Sequence, residues 1–458
     1  MKYTLTVRYI LPFVFLLMIA FGSTAQTDPK YQKVDGLIKT NSMIDALDAL
    51  NILKKNYQQD TADAAYWLRY SQVSYILYKY DDAKSSIDKA IRLDPQAVYY
   101  FEKGLLYNRL NNPDAALKAL ETAVKLKEEG EYFYWRGVVN QQLGNKQFAE
   151  MDFREALKHQ FETAEMQNYF AIVLFENNKM EEGLRQINRA ILLDNKFAEA
   201  YSSRAKIHLF LFDIDSACSD NTTAFSLGYK KIVHIPDSVC KGSFTQRTQF
   251  VADICAGSKF YEQAIIGYTK LIDKKIIKSD YFLNRGYCYF QLGKHAEAEK
   301  DYLKALTLPK VALDMVYNNL SLLYFDQKEY HKSIEYTTKR IELNPLNDQA
   351  YLDRGLCYRK MKIYKEAEKD YDKAISIKPD FSRAYAYKAF LYMEEGRFEK
   401  ALELASTAIQ ISPKYGYAYL VRAQIKQRLD LPDFCVDYYA AKNYLEPDAD
   451  EAIRRFCK

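Results

Sequence analysis

Four prolines, Pro345, Pro379, Pro413 and Pro447, stand 34 residues apart. A fixed period of that length means one supersecondary unit repeated in series, and this constrains the fold more than any other feature. Counting back from each proline, the same residue types recur. Small residues hold the eighth position (Ser321, Gly355, Ala389, Ala423) and the twentieth (Ser333, Ala367, Ala401, Cys435). Rings hold the fourth: Tyr317, Tyr351, Tyr385 and Tyr419. Two helices of a hairpin approach closely only where side chains are small, and large rings fill the space beside the crossing. Proline at the thirty-second position ends the second helix, because it cannot continue one and restricts the residue before it.

The register runs back through most of the chain. Repeats begin near 64, 97, 130, 164 and 198, then near 245, 279, 314, 348, 382 and 416. The remaining eighth positions are Ser71, Gly104, Gly137, Ala171, Ala205, Ala252 and Gly286, all small. A degenerate repeat is expected over 27–60, with Ala46 at its twentieth position but Val34 at its eighth. Leu271, Arg340 and Lys442 replace the usual alanine at position 27, so looser packing is expected there. Nineteen of the 40 tyrosines fall on positions 4, 11, 17 or 24 of this register: Tyr351, Tyr358, Tyr364 and Tyr371 occupy all four in one repeat. With 48% hydrophobic and 27% charged residues, the chain has material for a continuous core, and extensive disorder is excluded. A net charge of +5 in 458 residues points to no polyanion-binding class.

The pattern resembles the tetratricopeptide repeat family. The stretch from Tyr385 to Tyr392 matches that motif's positions 4 to 11, and Tyr364 to Ala374 matches positions 17 to 27. The resemblance implies an all-α superhelical solenoid of antiparallel helix pairs. About twelve repeats are expected, in two units that each end in a disulfide-linked capping helix.

Residues 1–25 read as a secretory signal peptide. Lys2 and Arg8 form a positive start, Tyr9 to Gly22 an apolar run, and Ser23-Thr24-Ala25 the small residues before cleavage at Gln26. The run of about 14 residues is short of the ~20 that span a bilayer, with an uncleaved anchor as the rival. Ending in Ser-Thr-Ala-Gln, the signal is similar to those of Gram-negative envelope proteins, which implies export to the periplasm or outer envelope, or secretion.

Seven cysteines in an exported chain imply disulfides. Cys218 to Cys240 and Cys435 to Cys457 share a spacing of 22, and each midpoint falls at a turn, beside Gly228 and at Glu446 in Glu446-Pro447-Asp448. A helix running up and another running down bring such residues level, within bridging reach across packed helices. Each bond would clamp the end of an array, where the last repeat lacks a neighbour. The arrangement resembles the cysteine-pinned cap that follows such arrays in some bacterial envelope proteins. Two units follow, 26–242 and 243–458, related by a shift of 217 at the cysteines. Zinc is disfavoured because the five histidines are scattered. Cys255, Cys288 and Cys357 fit as small buried hydrophobes, with a Cys255–Cys288 bond as the alternative.

The sequence carries no Gly-rich phosphate loop, nucleophile elbow or H-E-x-x-H motif, so neither enzymatic activity nor a metal or cofactor is expected. In the family, first helices line a concave surface through positions 2, 5, 9, 12 and 13. Carried over, these give a groove of Leu283, Tyr287, Phe290, Asn318, Leu322, Phe325, Leu352, Leu356, Arg359, Lys360, Phe390 and Met393. The first unit contributes Phe101, Leu105, Asn108, Arg109, Tyr134, Gln141 and Phe175. An apolar groove with a basic spot at Arg359 and Lys360 suits an extended peptide or an amphipathic helix. The family's clamp for chaperone tails does not carry over, because position 5 has no lysine and position 9 no asparagine. The expected function is a protein-interaction scaffold in the envelope, with a protein or peptide partner and no nucleic acid. A glycan or small-ligand receptor and an accessory subunit of an envelope enzyme are the alternatives.

Overall fold

The computed structural model describes residues 29–457; the expected signal peptide lies outside them. Among the described residues the regular structure is helical throughout. Two compact units divide at Phe260 and Tyr261. The first holds six helix hairpins, from Gln32–Lys39 with Met43–Asp60 to Ala198–Phe210 with Ile214–Ser226, then the turn Asp237–Cys240 and helix Phe244–Gly257. The second opens with Tyr261–Asp273, continues through five hairpins and closes with Ala449–Phe456. The division lies one helix beyond the sequence break at 242–243. Helix Phe244–Gly257 packs on helices Asp237–Cys240 and Ala198–Phe210. Just beyond it the Phe260 ring sits 4.9 Å from both Phe175 and Phe210.

The hairpin crossings form where the small residues recur. Alanines at position 20, among them Ala83, Ala116, Ala149, Ala298, Ala367 and Ala401, are fully buried. At position 8, a methyl group on Gly104 would come within 2.6 Å of Leu120, and one on Gly355 within 2.7 Å of the Tyr371 ring. Ser71 donates to the Ala83 carbonyl at 2.7 Å, and Ser333 to that of Ser321 at 2.8 Å, so serine serves where its hydroxyl bonds across the crossing. The turn between the two helices also repeats. Position 15 has positive φ at Tyr78, Asn111, Gly144, Asn178, Phe212, Lys259, Gly293, Lys328, Lys362, Gly396 and Asp430. There the next amide reaches back to close the first helix, as Lys79 does to Ser74 at 2.8 Å and Ile363 to Tyr358 at 2.9 Å. Second helices stop at position 30 or so: Tyr330–Leu343, Tyr364–Ile377 and Phe398–Ile411 each end two residues before a proline.

Both disulfides form, with Cα atoms 6.1 Å apart for Cys218–Cys240 and 5.7 Å for Cys435–Cys457. The caps differ in length. The second is the helix Ala449–Phe456, whereas the first is the single turn Asp237–Cys240. Residues 230–235 before that turn carry a β-branched run, Ile232-Val233, and Pro236 then sets the turn's start. Cys288 and Cys357 are buried thiols outside any disulfide, and burial pushes them up to about 12 and about 11, far from reactivity. Position 27 also departs from looseness: Arg340 is 5% exposed and bridges Asp314 at 3.2 Å and Asp353 at 3.1 Å. An ion-pair bridge thus occupies the place of the missing alanine contact.

Candidate functional site

The expected groove residues of the second unit fall into two groups. Leu283 and Leu352 are buried and belong to the core. At position 9 of four successive first helices stand Tyr287, Leu322, Leu356 and Phe390. Tyr287 is 41% exposed and Leu322 44%, while Leu356 and Phe390 are half-buried. Phe290, Phe325 and Met393 flank the row half-buried; Phe290 stacks on His295 at 5.8 Å and Phe325 meets Tyr330 edge-on at 5.5 Å. Asn318 bonds its neighbour Asn319 at 3.4 Å. At the far end Phe390 and Tyr387 pack on Tyr417, at 6.4 Å and 5.0 Å.

The basic spot is not what the spacing implied. Lys360 is exposed, but Arg359 is 8% exposed. Its guanidinium lies 4.6 Å above the Phe390 ring and 3.2 Å from both oxygens of Glu394. This pairing links two first helices and spends the charge internally, while the buried Nε has no partner among the described residues.

In the first unit, Phe101, Leu105, Asn108, Tyr134 and Phe175 are all buried, and only Arg109 and Gln141 of the expected set are partly accessible. The notable groups there are acidic. Glu131, Glu165 and Glu199 occupy position 2 of three consecutive first helices, a position the family pattern marks but whose charge the sequence reading passed over. Tyr134 feels all three carboxylates, and they add to the burial that raises its hydroxyl. Glu131 is pushed up to about 7, first by burial and then by Glu102 and Glu129. Burial also raises Glu199, with the Lys231 charge and an Asn168 hydrogen bond pulling the other way.

Two family profiles described as tetratricopeptide repeat match the chain, one over residues 279–308 and 349–381, the other over 97–129, 316–345 and 382–415. Each matched segment covers one hairpin of the structure. The chain is a tetratricopeptide repeat protein. Curated relatives include tetratricopeptide repeat protein 16 of Homo sapiens, 23% identical over 207 residues, and its Mus musculus counterpart, 24% identical over 193. The match covers 44% and 40% of this chain but only about a quarter of each relative, 24% and 25%. Among solved structures, YrrB, "a TPR protein with an unusual peptide-binding site", is 20% identical over 39% of this chain and 93% of its own, with a TM-score of 0.35. MamA is 20% identical over 35% of this chain and 95% of its own, with a TM-score of 0.33.

The tetratricopeptide register also carries a device that the sequence reading missed. An arginine at position 7 clasps an aspartate on the second helix of its own repeat with two hydrogen bonds. The pairs are Arg136–Asp152, Arg204–Asp220, Arg285–Asp301, Arg354–Asp370 and Arg422–Asp437, with shortest contacts of 2.6 to 2.8 Å. In three of them the free Nη1 reaches back to the preceding second helix: Arg204 to Asn188 at 2.9 Å, Arg285 to Thr269 at 3.0 Å and Arg354 to Thr338 at 3.1 Å. The signal was present as Arg-Gly or Arg-Ala followed by aspartate 16 residues on, or 15 in the last pair.

Proposed function

We propose that this chain is an exported, non-enzymatic scaffold of the cell envelope that binds a peptide or helix of a partner protein along the first-helix face of its tetratricopeptide repeats. One observation carries the reading. Four apolar side chains, Tyr287, Leu322, Leu356 and Phe390, share one register position on four consecutive first helices, and the first two are open to solvent. A row of this kind offers alternating contact for an extended chain or one stripe of an amphipathic helix. The export reading rests on the residues of the amino-terminal segment, and the two disulfides are compatible with an oxidising compartment. Panning a random peptide-display library against the purified chain tests the reading. Enriched peptides should lose about tenfold or more in affinity to Leu322→Asp and none to Glu366→Gln on a solvated second helix. A library with no enrichment, or peptides indifferent to Leu322→Asp, would refute it.

A further inference from the structure

On the first unit's acidic face three successive carboxylates stand outside any ion pair. Elsewhere in this unit, Glu150 on a second helix is held by Lys179 at 2.5 Å and Arg154 at 2.8 Å, and Glu162 in the following loop by Arg189 at 2.8 Å. Among the described residues, Glu131, Glu165 and Glu199 have no basic partner within ion-pair distance; Lys231 acts on Glu199 only from farther away. Between these carboxylates lies an aromatic floor. Tyr134 and Tyr169 stand 6.3 Å apart, and the Tyr134 ring stacks on Phe161 at 5.3 Å. Burial raises Tyr169 and Tyr229, and Glu199 adds to both, with Glu165 adding to Tyr169, so these rings feel the same acids. Asn168 sits among them, 1% exposed. Its amide pulls Glu199 down against burial, while its Oδ1 has no partner among the described residues. A buried acceptor left open next to unneutralised carboxylates and ring faces calls for a donor that is also a cation.

Resting on the scaffold reading above, we propose that the first unit takes a basic polypeptide segment, with lysine or arginine side chains seated between Glu131, Glu165 and Glu199 over the rings of Tyr134 and Tyr169. Packed helices stand about 10 Å apart, which an extended chain covers in roughly three residues, so basic residues at every third position fit the ladder. A bound cation would also relieve the desolvation that now burdens Glu131 and Glu199.

The test is fluorescence anisotropy on the full chain, using a short labelled peptide with lysine at every third residue. Its controls are the same peptide with glutamate or glutamine at those positions, and spermidine as a competitor. The lysine peptide should bind and the two controls should not. The triple variant Glu131→Gln, Glu165→Gln and Glu199→Gln should weaken binding by about tenfold or more. Glu165→Lys, at an exposed position where folding is not at stake, should weaken it as well, and Glu366→Gln should leave it unchanged. Unchanged binding in both groove variants, or equal binding of the glutamate peptide, would overturn the assignment. So would spermidine binding without peptide binding, which would make this a small-polyamine site. If display panning yields groove-dependent peptides while the lysine peptide fails, this inference falls alone; if panning also fails, the scaffold reading falls with it.

Discussion

Single residues in this chain are chosen by how close two helices must come. Gly355 has the Tyr371 ring where its own Cβ would stand, so Gly355→Ala should cost about 1–3 kcal/mol in urea unfolding despite alanine's better helix propensity. Gly257 ends its helix with nothing near its Cβ position, and Gly257→Ala should be neutral or stabilising by up to about 1 kcal/mol. Charge at residue scale has its own signature. Glu131 has its folded pKa raised from 4.5 to about 7, so the folded state holds its proton more tightly than the unfolded chain does. Its contribution to stability is therefore present below about pH 4.5 and is lost as pH rises towards 7. Glu131→Gln should raise the melting temperature relative to wild type at pH 8, with the difference vanishing near pH 4.5. An equal difference at both pH values would show that burial of the charge is not the cause.

At the scale of helices, the register was legible because it is steric. Small residues at 8 and 20 and prolines at 32 can be counted, and helices formed wherever they were counted, including the degenerate pair Gln32–Lys39 and Met43–Asp60. The charged devices were not legible in the same way. Arg359 read as an exposed basic spot, yet its partner Glu394 lies 35 residues on, in the next repeat, where only the superposition of helices brings them together. The Arg–Asp clasps repeat as faithfully as the glycines but look like surface charge until the second helix is placed. Because Asp370 is 5% exposed and burial raises its pKa against the pull of Arg354, removing the arginine strands a buried carboxylate. Arg354→Met should destabilise by about 3 kcal/mol, whereas Arg354→Met with Asp370→Leu should recover much of that loss. Additive losses in the double-mutant cycle would mean that the clasp is not a coupled unit.

Over the whole molecule, the repeats explain the tyrosine excess as packing, and the duplicated cysteine spacing as two clamps. The clamps lie near the ends of the two arrays: Cys218–Cys240 ties down the turn Asp237–Cys240, on which Phe244–Gly257 also packs, and Cys435–Cys457 ties down the last helix. Replacing Cys435 and Cys457 with alanine should cost roughly 3 kcal/mol, felt as hydrogen-exchange protection lost first over 434–456. Loss spread evenly along the chain would contradict a local clamp. What the sequence left unread was the character of the binding faces. Register says which positions line a face, but burial decides which of them are available, and the first unit's glutamates gain meaning only once their lack of partners is seen.

The central claim is that the first-helix face, and not the charged second-helix face, meets a partner polypeptide. A photo-crosslinking amino acid placed at Leu322, or instead at Lys369, in full-length protein made in its native cells tests this directly. Irradiation should give a discrete polypeptide adduct from position 322 and none from position 369. No adduct at 322, or the same adducts from both positions, would contradict the account.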